Sequence, residues 1–187
     1  YVKVFHKDDE YILIPEFWIP EETVHERSRK ENVPYDTWAE SGYINATPGN
    51  VIDYKAIKKK VLEDFEKYEI LEVGRDRWGS IQMAQELEAE VLTTVAIGQV
   101  YKSMSEPMKE LEKLVLENKL VHFNHPVLRW MASNVVAKTD PAGNIKPDKD
   151  KSKEKIDGIV SSIMAMDRCI RNEGKPKKSV YEERGVR

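Results

Sequence analysis

The sequence has a single cysteine, Cys169, which excludes an internal disulfide framework and a cysteine-rich zinc site. Because Cys169 stands in an apolar run, we expect a buried and unreactive thiol. No stretch approaches the roughly 20 apolar residues that span a bilayer, and no signal-peptide pattern is found. These absences predict a protein of a reducing cytoplasm that has no membrane partner.

An excess of positive charge is also missing, since 30 Lys and Arg stand against 33 Asp and Glu. This balance argues mildly against a nucleic-acid partner, although a basic groove can be local. The sequence lacks a Walker A motif, which excludes ATP hydrolysis by this chain alone, and it lacks a dinucleotide-binding glycine signature. The length of 187 residues suits one domain.

Hydrophobic periodicity and turn residues divide the chain into alternating strands and helices. Strands are predicted at 1–6 and 11–17, joined as a hairpin, and at 68–73 and 91–100. Helices are predicted at 21–32, 34–41, 53–67, 80–90, from Ser105 and Pro107 onwards, and at 154–170. A helix followed by a strand is expected over 128–138, and a turn or hairpin over 139–150. This order predicts an α/β layer fold.

Asp76 is the most informative polar residue, because it follows the predicted strand that ends at Val73. In α/β sheets the reactive crevice lies outside the carboxyl ends of the strands, so an acid there is a candidate metal ligand. An aspartate that caps the following helix explains the same spacing equally well. Ser80 is a second candidate for that cap.

Asp157 lies in the first turn of the last predicted helix, which is otherwise apolar. The helix dipole favours an acid at this position without any function. Paired with Asp76, however, it gives two carboxylates from distant segments, which is the donor set that magnesium uses together with water and phosphate.

Lysines cluster near the end of the chain, at 146, 149, 151, 153 and 155. Lysine suits phosphate contacts, but Asp148, Asp150 and Glu154 interrupt the cluster, so a solvated loop is an equal interpretation. The segment 98–103, with Lys102, is an ordinary loop or a phosphate contact. We expect the four histidines to be surface or packing residues and the four tryptophans to be buried or half-buried.

Six segments together resemble one family, the nuclease domain of tailed-phage terminase large subunits. They cover nearly the whole chain in the family's order: FWIPE at 17–21, ATPGNVID at 46–53, DRW at 76–78, GQVYKSMS at 98–105, PVLRWMASN at 126–134 and KIDG at 155–158.

The resemblance implies a ribonuclease H-like domain over 1–171, with a mixed central sheet flanked by helices, and a C-terminal tail at 172–187. It implies a DNA endonuclease that uses two divalent metal ions, Mg²⁺ or Mn²⁺, to cut concatemeric viral DNA. Asp76 and Asp157 match the family's metal-binding catalytic acids. The expected DNA-backbone contacts are Lys102, Lys149 and Lys155.

The resemblance also implies that the family's first strand, with another core acid, precedes Tyr1, so that this chain alone would lack part of the site. The implied partners are double-stranded DNA, an ATPase domain in the same parent chain, the terminase small subunit and the portal protein, in the host cytoplasm. Two alternatives stay open: a non-cleaving docking module of the packaging motor that binds DNA or portal, and a related nuclease of the resolvase or transposase type.

Overall fold

A computed structural model describes residues 1–78 and 80–173. Its strands are β1 (Val2–Lys7), β2 (Glu10–Pro15), β3 (Trp18–Pro20), β4 (Asn45–Thr47), β5 (Val73–Asp76), β6 (Thr94–Ile97), β7 (Leu120–Val121), β8 (Ala137–Thr139) and β9 (Ile145–Pro147). Its helices are a 3-10 turn (Glu21–Thr23), α1 (Val24–Glu31), α2 (Tyr35–Glu40), α3 (Tyr54–Lys67), α4 (Ile81–Glu88), α5 (Tyr101–Leu116), α6 (Pro126–Asn134) and α7 (Asp157–Asn172).

The strands form several small sheets. The predicted N-terminal hairpin is confirmed, because β1 and β2 pair antiparallel, and β7 joins β2 in parallel. In the described part of the chain, β3 pairs with β4 and β5 with β6, both in parallel, and β8 and β9 form an antiparallel hairpin. The arrangement is therefore mixed α/β, as the order of elements predicts.

The predicted strands at 68–73 and 91–100 are misplaced or too long. β5 begins only at Val73 and continues through Asp76, while β6 covers four residues. Within the described residues, no strand pairs with the apolar run before β5, and Leu71 is exposed to solvent. At the start of the second run, Val91 has a φ of 68°, which breaks an extended strand.

Helix α5 begins at Tyr101 rather than at Ser105. The carbonyl of Val100 accepts hydrogen bonds from the N–H groups of Ser103 and Met104, which closes the first turn. Ser105 is not a cap, because its hydroxyl accepts a hydrogen bond from the N–H of Ile145 in the β8–β9 hairpin at 3.1 Å. Pro107 consequently lies inside the helix, where it removes one backbone hydrogen bond.

Helix α7 is the centre of the main core. Its side chains Ile163 and Met166 are fully buried and pack with Leu13 of β2 and Met104 of α5. α7 contacts β1, β5, α5 and α6, so it joins the sheet of β1, β2 and β7 to the sheet of β5 and β6. Among the residues that the structure describes, no helix is long and apolar enough to cross a bilayer.

The end of α7 lies against the N-terminal hairpin. The Tyr11 hydroxyl donates a hydrogen bond to the carboxylate of Glu173, and Nδ1 of His6 lies 3.5 Å from the same carboxylate. The division predicted between 171 and 172 falls within the last turn of the helix. The rest of the predicted tail, 174–187, lies outside the described residues.

Cys169 is expected to react slowly with thiol reagents. Burial, and secondly the nearby Glu173 carboxylate, raise the pKa of its thiol from 9.0 to about 11. Because only the thiolate is nucleophilic, a rise of two pKa units lowers the reactive fraction about a hundredfold at pH 8. The rate of reaction with Ellman's reagent, compared between native protein and protein unfolded in guanidinium, measures this difference. Cys169 is half-buried rather than buried, and equal rates would contradict an unreactive thiol.

Candidate active site

Asp76 is the last residue of β5 and not a loop residue, and its carboxylate is held by two donors. Its Oδ1 accepts a hydrogen bond from the backbone N–H of Trp78 at 3.2 Å. Its Oδ2 accepts one from the side-chain amide of Gln99 at 2.7 Å. Asp76 is paired with Ile97 across the β5–β6 ladder. Gln99 stands two residues after Ile97, just beyond the end of the neighbouring strand. The carboxylate therefore has a fixed orientation at the carboxyl end of two parallel strands.

The helix-cap interpretation of Asp76 is not supported by its contacts. Helix α4 begins after Ser80, and no side chain caps its first turn. Ser80 stands at the N-cap position, as predicted, but its side chain makes no cap bond, since its hydroxyl instead donates a hydrogen bond to the backbone carbonyl of Asp76. Neither side chain is used to start the helix, so the carboxylate of Asp76 stays available at the strand end.

Asp157 is the exposed first residue of α7, and its place is set by the glycine that follows it. A Cβ atom on Gly158 would lie 2.8 Å from the sulfur of Met131 and 2.9 Å from the ring of Phe17. The N–H of Gly158 also donates to that sulfur at 3.1 Å. The absence of a side chain thus allows the first turn of α7 to pack closely against α6.

The substitution Gly158→Ala is expected to destabilise the fold by about 1–3 kcal/mol, the usual cost of overpacking. Both neighbours of the new methyl group are buried or half-buried, so they cannot move away freely. Urea unfolding of the purified chain measures the change. Gly98→Ala is the matched control, because a Cβ there would meet nothing closer than 3.8 Å. Equal effects of the two substitutions would show that the close packing at Gly158 is unimportant.

The positions of Gly74 and Gln99 relative to α7 give the direction of strand β5. Gly74 of β5 packs against Met164 and Arg168 in the middle of that helix. Gln99, which contacts Asp76 at the end of β5, borders a cavity. The wall of this cavity also includes Val160, which lies one turn after Asp157. Strand β5 therefore runs toward the N-terminal end of α7. Within 1–78 and 80–173, no group of three or more histidine, cysteine or acidic side chains is arranged to hold a metal ion.

The predicted lysines divide between different surfaces. Lys149 lines the cavity beside Gln99, together with Lys138, Lys146 and two acids, Asp148 and Asp150. Lys102 is exposed in the first turn of α5 and borders a separate open groove. Lys155 is exposed shortly before α7. The structure thus places Lys149, rather than Lys102, on the cavity that adjoins the partner of Asp76.

Gln99 and Lys138 are site residues that the sequence analysis missed. The rule that singled out Asp76 could have found Gln99 only if the strand predicted at 91–100 had been ended at Ile97, where β6 ends. Lys138 carries no such signal, because only the pairing of β8 with β9 places it opposite Lys146.

The expectation of a buried or half-buried tryptophan is wrong for Trp78, whose exposed fraction is 80%. The other three are half-buried, and Trp38 and Trp130 pack with Tyr35. Trp78 directly follows the exposed Arg77 beyond the strand end, where no hydrophobic element covers it in the described structure.

His125 behaves as a packing residue, as expected. Its ring contacts the rings of Phe17 and Tyr43, and burial lowers its pKa below 6.5.

Three comparisons with known proteins agree on one family. The family model described as "Terminase large subunit, endonuclease domain" matches residues 1–173. The terminase large subunit of Enterobacteria phage HK97 is 34% identical over 161 residues, covering 85% of this chain and 32% of the phage protein. Protein YmfN of Escherichia coli K12 is 33% identical over 184 residues, covering 95% of this chain and 40% of that protein.

The crystal structure of the HK97 bacteriophage large terminase is similar in three dimensions. It superimposes with a TM-score of 0.82 at 34% identity, covering 89% of this chain and 36% of that chain. This chain thus spans about a third of the length of the HK97 protein. By sequence and structure, the chain belongs to the family of terminase large subunit endonuclease domains.

Proposed function

We propose that this chain is a metal-dependent endonuclease domain with a ribonuclease H-like fold, which cuts concatemeric viral DNA by hydrolysing phosphodiester bonds. The observation that carries the proposal is the carboxylate of Asp76, held by two N–H donors at the end of β5. Asp157 is the first residue of α7, toward whose N-terminal end β5 runs, and the chain belongs to the terminase nuclease family. Because the chain belongs to that family, we no longer consider a nuclease of the resolvase or transposase type.

The two candidate ligands in the described chain, Asp76 and Asp157, fit Mg²⁺ or Mn²⁺. Asp76 and Asp157 offer only oxygen donors, which hard divalent ions prefer. A carboxylate has about four lone-pair positions, and the contacts of Asp76 occupy two of them, so two stay available. Two bound ions would supply charge stabilisation and an activated water for hydrolysis. Asp76 and Asp157 would hold them, and the family's upstream strand would add a further acid.

The chain's other residues would position the DNA. Lys149, with Lys138 and Lys146, places positive charge on the cavity next to Gln99, whereas Lys102 borders the separate groove and Lys155 is exposed before α7. Contacts of this kind bind phosphates and carry no sequence information. Such binding suits an enzyme that cuts long DNA of varied sequence.

The substitution Lys149→Ala is expected to weaken binding to duplexes of different sequence by the same factor. If Lys149 neutralises one phosphate, the slope of log affinity against log salt concentration becomes less negative by about 0.9. Fluorescence anisotropy over a range of NaCl concentrations measures both effects. Lys59→Ala is the control, because Lys59 is 80% exposed on α3 and pairs only with Glu63 among the described residues. An unchanged slope for Lys149→Ala would remove Lys149 from the DNA-binding surface.

We also propose the domain, partners, substrate and location of the whole protein. They are an ATPase domain in the same parent chain, the small subunit and the portal as partners, double-stranded DNA as substrate, and the host cytoplasm as location. Within the chain, the proposed division is a nuclease domain at 1–171 and a tail at 172–187. The family and the HK97 relatives support these partners in general terms.

A second function, a docking module that binds DNA or portal without cutting, is favoured by one observation. The described residues contain no complete cluster of metal-binding side chains. Cleavage of supercoiled plasmid in Mn²⁺, by this chain and by one that includes the preceding strand of its parent protein, separates the two functions. Cutting by the longer chain supports the nuclease, whereas plasmid binding without cutting by either chain supports the docking module.

A further inference from the structure

Gln99 lies in the connection between β6 and α5, outside both elements, and its side chain reaches across to the neighbouring strand end. We propose that Gln99 is a positioning residue of the nuclease site, whose amide orients the carboxylate of Asp76 for metal binding. This inference rests on the proposed function and adds a residue to it.

The contact between Gln99 and Asp76 joins residues that are 23 positions apart in the sequence. Its length of 2.7 Å is that of a hydrogen bond to a charged acceptor, which is about twice as strong as one between neutral groups. The second donor, the N–H of Trp78, binds the other carboxylate oxygen. Because each oxygen has its own donor, rotation of the carboxylate about its Cβ–Cγ bond would break both hydrogen bonds.

Gln99 is itself held in place from the opposite side. Its backbone carbonyl accepts a hydrogen bond from Nζ of Lys146 at 3.3 Å. The same ammonium group lies 5.3 Å from the centre of the Tyr101 ring, a cation–π distance. Lys146 belongs to β9, so the β8–β9 hairpin fixes the backbone from which the amide reaches Asp76. Because the backbone of Gln99 is held by Lys146, its side-chain amide can keep the carboxylate of Asp76 in one orientation.

The substitution Gln99→Met tests the proposal, since methionine has a similar length but cannot donate a hydrogen bond. We expect the dissociation constant for Mn²⁺, measured by calorimetry, to rise about 10- to 100-fold, as is usual when such a supporting partner is lost. The Mn²⁺ concentration for half-maximal plasmid cutting by the longer chain should rise in parallel, with cutting recovered at high Mn²⁺. In metal-free protein, Asp76→Asn should shift the side-chain amide resonance of Gln99.

Gln82→Met is the matched control, because Gln82 makes the same type of contact with Glu86 at 3.0 Å on an exposed face of α4. It should leave Mn²⁺ affinity unchanged. If Gln99→Met does not fold, Gln99→Asn carries the test, since its amide is one methylene too short to reach Asp76 and should weaken Mn²⁺ binding equally. Unaltered Mn²⁺ affinity in the folded variant overturns the role of Gln99 alone. If the unsubstituted chains bind no Mn²⁺, the proposed function fails and this inference fails with it.

Discussion

Plasmid cutting in Mn²⁺ is expected to fall at least about a thousandfold when Asp76 or Asp157 is replaced by alanine in the longer chain. Each substitution would remove an oxygen ligand from the proposed metal site. The charge stabilisation that such ions give a transition state amounts to several kcal/mol, and each 1.36 kcal/mol is tenfold in rate. Initial rates of conversion from supercoiled to nicked or linear plasmid measure the loss.

The same assay needs a control acid and a check on folding. Asp9 is exposed in the turn between β1 and β2, so Asp9→Ala should cut at the rate of the unsubstituted protein. Both test residues are half-buried or exposed, so their variants should melt close to the parent temperature. Normal cutting by either folded variant would place the metal ligands elsewhere. The double variant should lose no more than the worse single one, because residues that act as a unit are not additive.

The largest expected effect on stability belongs to a buried ion pair between β1 and α3. Nζ of Lys3 lies 2.7 Å from the carboxylate of Asp64, whose side chain is 2% exposed. Removing one partner of a buried pair leaves an uncompensated charge and costs about 3–5 kcal/mol. For Asp64→Ala we expect about 3 kcal/mol, because Glu16 stays 3.3 Å from the ammonium group of Lys3. Glu16 also stays 3.7 Å from the ammonium group of Lys60, which pairs with Asp64 as well. Urea unfolding measures the change in the free energy of unfolding.

A neighbouring pair on the same helix provides the comparison. Lys59 and Glu63 are four residues apart on α3, both side chains are exposed, and Nζ lies 3.8 Å from the carboxylate. Glu63→Ala should therefore cost less than about 1 kcal/mol, as for other surface pairs. Replacing both buried partners, Lys3→Met with Asp64→Leu, should recover much of the stability, because apolar groups leave no buried charge unpaired. A cost of Asp64→Ala no larger than that of Glu63→Ala would show that water reaches the pair.

Local patterns predicted much of the architecture. The hairpin of β1 and β2, the helices α3 and α7 and the β8–β9 hairpin follow from periodicity and turn residues that are close together in the sequence. The same patterns failed for the run 68–73 and for the start of α5. In both places the structure depends on a partner that is distant in the sequence. β5 is a strand only where β6 pairs with it, and the hydroxyl of Ser105 accepts a hydrogen bond from the N–H of Ile145 instead of capping a helix.

The sequence by itself determined the family, since its short segments occur in one order along the whole chain, and it singled out Asp76 and Asp157 as candidate acids. The tertiary structure decided what surrounds them. It placed the amide of Gln99 on Asp76, excluded any side chain at Gly158, and put Lys149 and Lys102 on different surfaces. The contacts of Gln99 and Gly158 join residues far apart in the chain, and only the pairing of β5 with β6 and the packing of α6 against α7 bring them together.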